Sequence, residues 1–235
     1  SVADGTQTVP DGAEPIYVGS ERWFDVIRAA KLLVTNNHLP AFFDKSPHQF
    51  WLQTWHGTPL KKLLFDAPRE TTSLQYRRLM ERQSSQWDLL LAQDQQAAEN
   101  VSSGSHYRGR TLVVEQPRNA RLFKEGLRES VRSELGLAPT DNVVLYAPTW
   151  RQEDVQLGQG GQHLLDTQHL ADETGSKVLV RLHHMVPYGA LTSEVVIDVS
   201  DYPRVEDLMV ASDALISDYS SIFFDYALLG QPMIC

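Results

Sequence analysis

The sequence predicts an α/β protein made of two Rossmann-like halves facing a cleft. Short apolar runs alternate with helical patterns along the whole chain, the rhythm of parallel sheets joined by crossover helices. With 235 residues and 42% apolar content, the chain can bury the core of one large domain or of two small ones. The charged helical stretch LFKEGLRESVRSELGLAP lies midway and reads as a bridge. It places an N-terminal domain at residues 1–122, a linker at 123–141 and a C-terminal domain at 142–235.

Taken in order, the lead SVADGTQTVPDGAEP is polar and rich in turn formers, unlike a signal peptide. PIYVGS and KLLVTNN are strand-like runs flanking the helical pattern RWFDVIRAA, and FWLQTWH is the next strand. Gly57-Thr58-Pro59 reads as a tight turn into a helix, with Thr58 as N-cap and Pro59 at the first helical position. LKKLLFDAPRETTSLQYRRLMERQSSQ is helical in its two halves and broken at Ala67-Pro68. WDLLLAQ is a strand, DQQAAENVSSG a capped helix ending at glycine, and TLVVEQ a strand. In the second half, NVVLYAPTWR is a buried strand entering a proline turn, QEDVQLGQGGQ a loop and HLLDTQHLADETG a helix. KVLVRLHH and EVVIDVS are strands, VEDLMVAS a helix, DALISD a strand, and SSIFFDYALLG a helix closed by Gly230. QPMIC reads as the start of a further buried strand, so the second sheet is expected to be incomplete at its C-terminus.

A formal charge of −9 argues against a general nucleic-acid binder. The single cysteine, Cys235, excludes an internal disulfide and a thiolate-rich zinc site. No run approaches the roughly 20 apolar residues of a membrane span. One segment departs from the acidic balance: Lys61, Lys62, Arg69, Arg77, Arg78 and Arg82 stand against Asp66, Glu70 and Glu81.

Ligands of open α/β sheets bind outside the carboxyl ends of strands, so polar residues there are the first candidates. His56 ends the third apolar run. In VRLHH, side-chain alternation lets only one of His183 and His184 face the crevice, and His183, on the side of Arg181, is the better placed. SDYSS presents Ser220 and Ser221 at a helix N-terminus, where an anion or an ordinary serine cap both fit. In YAPTWR, Thr149 and Arg151 suit an anion, while Trp150 shields it or simply packs. Asp201 and Tyr202, ahead of Pro203, suit a nucleoside or a plain cap. A facial metal site from His56, His183 and Asp201 is set aside, because it lacks the carboxylate cluster that hard cations want.

Together, QTWHGTPLKK, LYAPTWR, VRLHH, the PRN at 117–119 and DVSDYPRVEDLMVASDALISDYSSIFFDYALLGQPMI resemble the CDP-glycerol glycerophosphotransferase family of teichoic acid synthesis. The resemblance covers roughly residues 50 to 235 and departs at 115–120, where EQPRNA stands in place of a glycine before Pro-Arg-Asn and an acidic residue after it. It implies a GT-B architecture, an enzyme that needs no metal and no cofactor, and CDP-glycerol as donor substrate. His56 then matches the catalytic base and His183 the second essential histidine. Arg151, Thr149, Asp201, Tyr202, Asp218, Ser220 and Ser221 fall on or beside the donor segments.

The implied reaction moves glycerol phosphate to the terminal hydroxyl of a lipid-linked glycerol phosphate acceptor and releases CMP. An anionic acceptor gives the cationic segment a second meaning besides a solvated face. Lys61, Lys62, Arg77 and Arg78 are the expected acceptor contacts, and an anionic membrane surface the expected partner. That places the protein peripherally on the cytoplasmic face of the cell membrane, with no nucleic-acid partner. Other readings are a ribitol-phosphate transferase, a GT-B glycosyltransferase or epimerase with another nucleotide-activated donor, and a non-catalytic nucleotide-binding module.

Overall fold

The computed structural model describes residue 9 and residues 11–149, 165–182 and 193–235. It forms two compact units, Ser1–Gln116 and Pro117–Cys235. Each is built on its own parallel sheet.

The first unit runs α1 (Glu21–Ala29), β1 (Leu32–Thr35), β2 (Phe50–Gln53), α2 (Leu74–Ser84), β3 (Leu89–Ala92), α3 (Gln95–Ser105) and β4 (Arg110–Val113). The strands lie side by side in chain order, β1-β2-β3-β4. Strand alternation sends Leu33, Trp51 and Leu90 to one face, where they meet Trp23 and Ile27 of α1, Met80 of α2 and Val101 of α3. A sheet that adds strands in one direction through right-handed crossovers collects its helices on one side. The opposite face is open accordingly: Leu32 is 58% exposed, Val34 57%, Phe50 43% and Leu112 47%.

The second unit runs α4 (Leu127–Glu134), β5 (Val143–Ala147), α5 (Thr167–Thr174), β6 (Lys177–Val180), β7 (Val196–Asp198), α6 (Val205–Ala211), β8 (Ala214–Ser217), α7 (Ile222–Tyr226) and β9 (Met233–Ile234). Its strand order, β7-β6-β5-β8-β9, reverses direction at β5. Val143, Leu145, Leu179 and Leu215 pack on one face with Leu127, Val131, Leu208 and Tyr226. Tyr146, Val178, Val180 and Val196 pack on the other with Ala171 and Leu170 of α5. Full burial of each such side chain contributes roughly 1.5–3 kcal/mol.

Ion pairs tie the helices of this unit together. Asp225, with only 5% of its side chain exposed, accepts from Arg118 Nη2 at 2.7 Å and from Asn119 Nδ2 at 3.1 Å. The PRN turn is thereby locked to α7. Arg121 forms a two-pronged pair with Asp207 of α6, with Nη2 to Oδ2 at 2.8 Å. Asp213 accepts from Arg128 and from the Val143 N–H at 2.9 Å. Burial pushes the Asp213 carboxyl up, but these donors overcome it and hold the group below its ordinary value.

Several local expectations are corrected. PIYVGS forms no strand; Ser20 there caps α1 by accepting from the Trp23 N–H. The first half of the LKKLLFD segment makes a single 3-10 turn, Leu64–Asp66, since Leu64 has φ 42°, outside the helical region. Thr58 caps no helix, and its hydroxyl bonds Gln93 Oε1 at 2.8 Å. The helix expected from residue 122 begins at Leu127, behind Gly126 at φ 70°. Helix α3 runs past Gly104 to Ser105. Gly104 is required by packing: a Cβ there would lie 2.7 Å from the Leu63 carbonyl oxygen. Strand β9 pairs in parallel with β8 where QPMIC was expected to begin a further strand, with Met233 42% and Ile234 54% exposed.

Candidate active site

In the first unit the polypeptide leaves β2 through a loop that is pinned at nearly every residue. The Thr54 N–H donates to the Thr35 carbonyl at 2.8 Å, and Gln116 Nε2 reaches the Thr54 carbonyl at 3.4 Å. The Trp55 N–H donates to Gln53 Oε1 at 2.9 Å, while Gln53 Nε2 contacts Thr35 Oγ1 at 3.3 Å and the Asn37 carbonyl at 3.4 Å. Gln53 is wholly buried and unites the loops after β1 and β2. Trp55 has φ 54° and Gly57 φ 152°. The first is a costly conformation for a bulky residue, and the second is open only to glycine.

That turn presents His56 as an exposed side chain stacked on the buried Trp55 ring, with centroids 4.7 Å apart and planes inclined by 22°. His56 Nδ1 lies 3.0 Å from the Asn36 carbonyl oxygen. A carbonyl oxygen can only accept, so Nδ1 carries a proton and, in the neutral ring, the lone pair is on Nε2. The loop therefore offers a held imidazole with a basic nitrogen outward.

In the second unit the strand order reverses between β5 and β8, the topological switch point where open α/β sheets bind ligands. Two segments 69 residues apart meet there. The Thr149 N–H and hydroxyl both donate to Asp218 Oδ1, at 2.6 and 3.0 Å. Tyr219, the next residue, has φ 39°, another strained non-glycine position. Ser220 Oγ accepts from the Ile222 N–H at 3.3 Å and so acts as the local cap; the Ser221 side chain caps nothing. Both serines are half-buried.

The ends of β6 and β7 are joined beside this point. Arg181 Nη1 donates to the carbonyls of Tyr202 at 2.6 Å and Val199 at 3.3 Å, and the Leu182 N–H donates to Ser200 Oγ at 3.0 Å. Desolvation lowers the Arg181 pKa, opposed by Glu206 and Asp201. Asp201 is exposed. The Tyr202 hydroxyl donates to Glu134 Oε2 at 2.9 Å, and burial followed by that bond pushes its pKa up to about 12. Tyr202 therefore stays a neutral phenol at physiological pH.

Thr149, Asp201, Tyr202, Asp218, Ser220 and Ser221 thus all follow strand ends of one sheet. Trp150, Arg151, His183 and His184 lie outside the described residues. Among the cationic candidates, Lys61, Lys62 and Arg78 are exposed. Arg77 is not: it is 5% exposed, and its guanidinium donates to the carbonyls of Pro68 at 2.5 Å, Thr72 at 3.1 Å and Ala67 at 3.3 Å. It braces the 67–72 turn against α2 and offers no surface charge to an acceptor. Among the described residues no group of three or more His, Cys, Asp or Glu is arranged to hold a metal ion. Sequence reasoning missed Gln53 and Asn36. The signal for the first was a glutamine interrupting an apolar strand three residues before His56.

Comparison with known proteins places the chain in a family. The chain is 33% identical over 242 residues to a teichoic acid poly(glycerol phosphate) polymerase of Staphylococcus epidermidis, an alignment covering 95% of this chain and 33% of that protein. A teichoic acid ribitol-phosphate polymerase of Staphylococcus aureus is also 33% identical, but over 133 residues and 50% of this chain. Among solved structures, a histidine-to-asparagine variant of the wall teichoic acid polymerase TagF superposes with TM-score 0.86 at 32% identity, covering 97% of this chain and 59% of that one. The same polymerase has been solved after soaking with CDPG. The chain thus spans between a third and about three-fifths of the length of these relatives. The sequence model of CDP-Glycerol:Poly(glycerophosphate) glycerophosphotransferase matches residues 1–235, and the chain belongs to that family, with the GT-B-like α/β fold its sequence predicts.

Proposed function

We propose that the parent protein transfers glycerol phosphate from CDP-glycerol to the terminal hydroxyl of a lipid-linked glycerol phosphate acceptor. The observation that carries this reading is His56 itself, held through Nδ1 on the Asn36 carbonyl with Nε2 outward, within a strained and heavily pinned turn. In the reaction the acceptor oxygen forms a bond to the β-phosphorus of CDP-glycerol. The bond from that phosphorus to the bridging oxygen breaks, and CMP leaves with the electron pair. The hydroxyl proton passes to His56 Nε2, the ring nitrogen not engaged by the Asn36 carbonyl.

The second unit serves as the donor domain in this reading and the first as the acceptor domain. The Thr149–Asp218 junction and the serines beyond it border the donor diphosphate at the switch point, and Asp201 and Tyr202 border its nucleoside. Arg151 and His183 complete the donor side as proposals from sequence. Glycerol is favoured over ribitol because the glycerol-phosphate polymerase relative aligns over nearly the whole chain and the ribitol-phosphate one over half of it. Lys61, Lys62 and Arg78 are the proposed contacts to an anionic acceptor or membrane surface. No helix among the described residues is long and apolar enough to cross a membrane.

The test is CMP release by the full-length parent with CDP-glycerol and a lipid-linked acceptor, beside its His56→Ala variant. A loss of about 100-fold or more in turnover is expected, the usual scale for general base catalysis. Near-normal turnover in the variant would remove His56 from the mechanism. Acceptor-dependent release with CDP-ribitol but not CDP-glycerol would reassign the donor.

A further inference from the structure

The polypeptide leaving β1 walls a cleft of about 470 Å³ lined by Val18, Trp23 and residues 34–40. His56 adjoins this lining, its Nδ1 resting on the carbonyl of Asn36, one of the lining residues. None of the lining residues is Lys, Arg, Asp or Glu. A phosphate group would need cations or converging N–H groups, so this lining does not suit an anion. It does present neutral hydrogen-bonding groups of both kinds. The Asn36 side chain is exposed, and its amide carries both a donor and an acceptor. Asn37 spends its Oδ1 on the His38 N–H at 2.8 Å, leaving its amide N–H groups to donate. His38 Nδ1 contacts the Leu39 carbonyl at 3.0 Å, which leaves Nε2 as an acceptor, and the ring sits edge-on to Tyr76 at 5.6 Å.

Adjacent hydroxyls on a carbon chain both donate and accept, and their C–H faces are apolar. Amides and an imidazole lining one cleft with Val18 and Val34 match that pattern. We infer that this cleft is a subsite for the uncharged polyol end of the acceptor, the unit whose hydroxyl is deprotonated at His56. The inference rests on the proposed transferase reading and adds the chemical class bound, a polyol terminus rather than a phosphate, together with Asn36, Asn37 and His38 as the groups that read it. The cationic residues Lys61, Lys62 and Arg78 then answer to the charged remainder of the polymer.

Two variants of the full-length parent test this. Asn36→Ala removes a side-chain amide but keeps the backbone carbonyl that holds His56, and Val18→Trp fills the cleft from an exposed turn position that is 55% exposed. Each is expected to raise the acceptor KM about tenfold, the scale of one or two lost hydrogen bonds, with the CDP-glycerol KM within about twofold of the parent. Circular dichroism checks folding of both. Independently, glycerol added to the unmodified protein should shift the amide NMR resonances of residues 36–39, and inorganic phosphate should not. Unchanged acceptor KM in both folded variants overturns the subsite, as does a phosphate-induced shift equal to that of glycerol. Glycerol-dependent shifts in a parent that transfers no glycerol phosphate would keep the polyol site and overturn the transferase reading instead.

Discussion

The two sheets differ in what their strand order permits. The second reverses at β5, so its helices cover both faces and Val143, Leu145, Val178, Leu179 and Leu215 are fully buried. Among the described residues the first does not reverse, its helices share one face, and the other leaves Leu32, Val34, Phe50 and Leu112 exposed. Parallel sheets are ordinarily covered on both sides. Cohesion is therefore distributed differently: the second unit is a two-sided core fastened by partly buried ion pairs, and the first is a one-sided core whose loop carrying His56 is densely hydrogen-bonded.

The contrast breaks if the ion pairs of the second unit prove dispensable. Asp225→Ala strands Arg118 and the buried Asn119 amide, and a loss of about 3–5 kcal/mol is expected in urea unfolding of the second unit. A loss below about 1 kcal/mol would mean that α7 is held by its apolar contacts alone. A matched pair of strand substitutions sharpens the comparison directly. Val178→Thr places a hydroxyl in a fully buried site and should cost about 2 kcal/mol, whereas Val34→Thr, at a position 57% exposed, should stay within about 0.5 kcal/mol. Equal costs would show that the first sheet is covered in solution.

A smaller effect tests the packing that the first unit does possess. Gly104→Ala drives a methyl group against the Leu63 backbone and should cost about 1–2 kcal/mol, read as a lowered Tm. The smallest concerns pH. Burial pushes the Asp88 carboxyl up, yet the Lys45 ammonium at 2.6 Å and the Trp51 N–H outweigh it and hold the group below its ordinary value. A depressed folded-state value means stability that is present above the ordinary carboxylate range and lost as pH falls through the folded value. Asp88→Asn should therefore be about 1 kcal/mol less stable than the parent at pH 7, with the difference closing on acidification below about pH 4.

Most strands were legible because their signal is local. KLLVTNN, WDLLLAQ, NVVLYAP and DALISD carry their own apolar runs, and Asp94, Gly175 and Gly230 mark helix ends where the structure has them. What sequence reasoning could not see was set by distant partners. Arg77 looks like surface charge until the 67–72 turn folds over it, and LKKLLFD looks helical until Leu64 takes a positive φ under α3. The candidate site divides the same way. His56 is visible as a histidine ending an apolar run. The Asn36 carbonyl that sets its tautomer and the Asp218 carboxylate that captures Thr149 come from other strand ends, 20 and 69 residues away.

The stacking of His56 on Trp55 also makes the first unit its own optical instrument. Indole emission responds to what lies against the ring, so the fluorescence difference between the parent and its Trp55→Phe variant reports on the surroundings of the proposed base. Substrate arrival at His56 can be followed by light in this way before any product has formed.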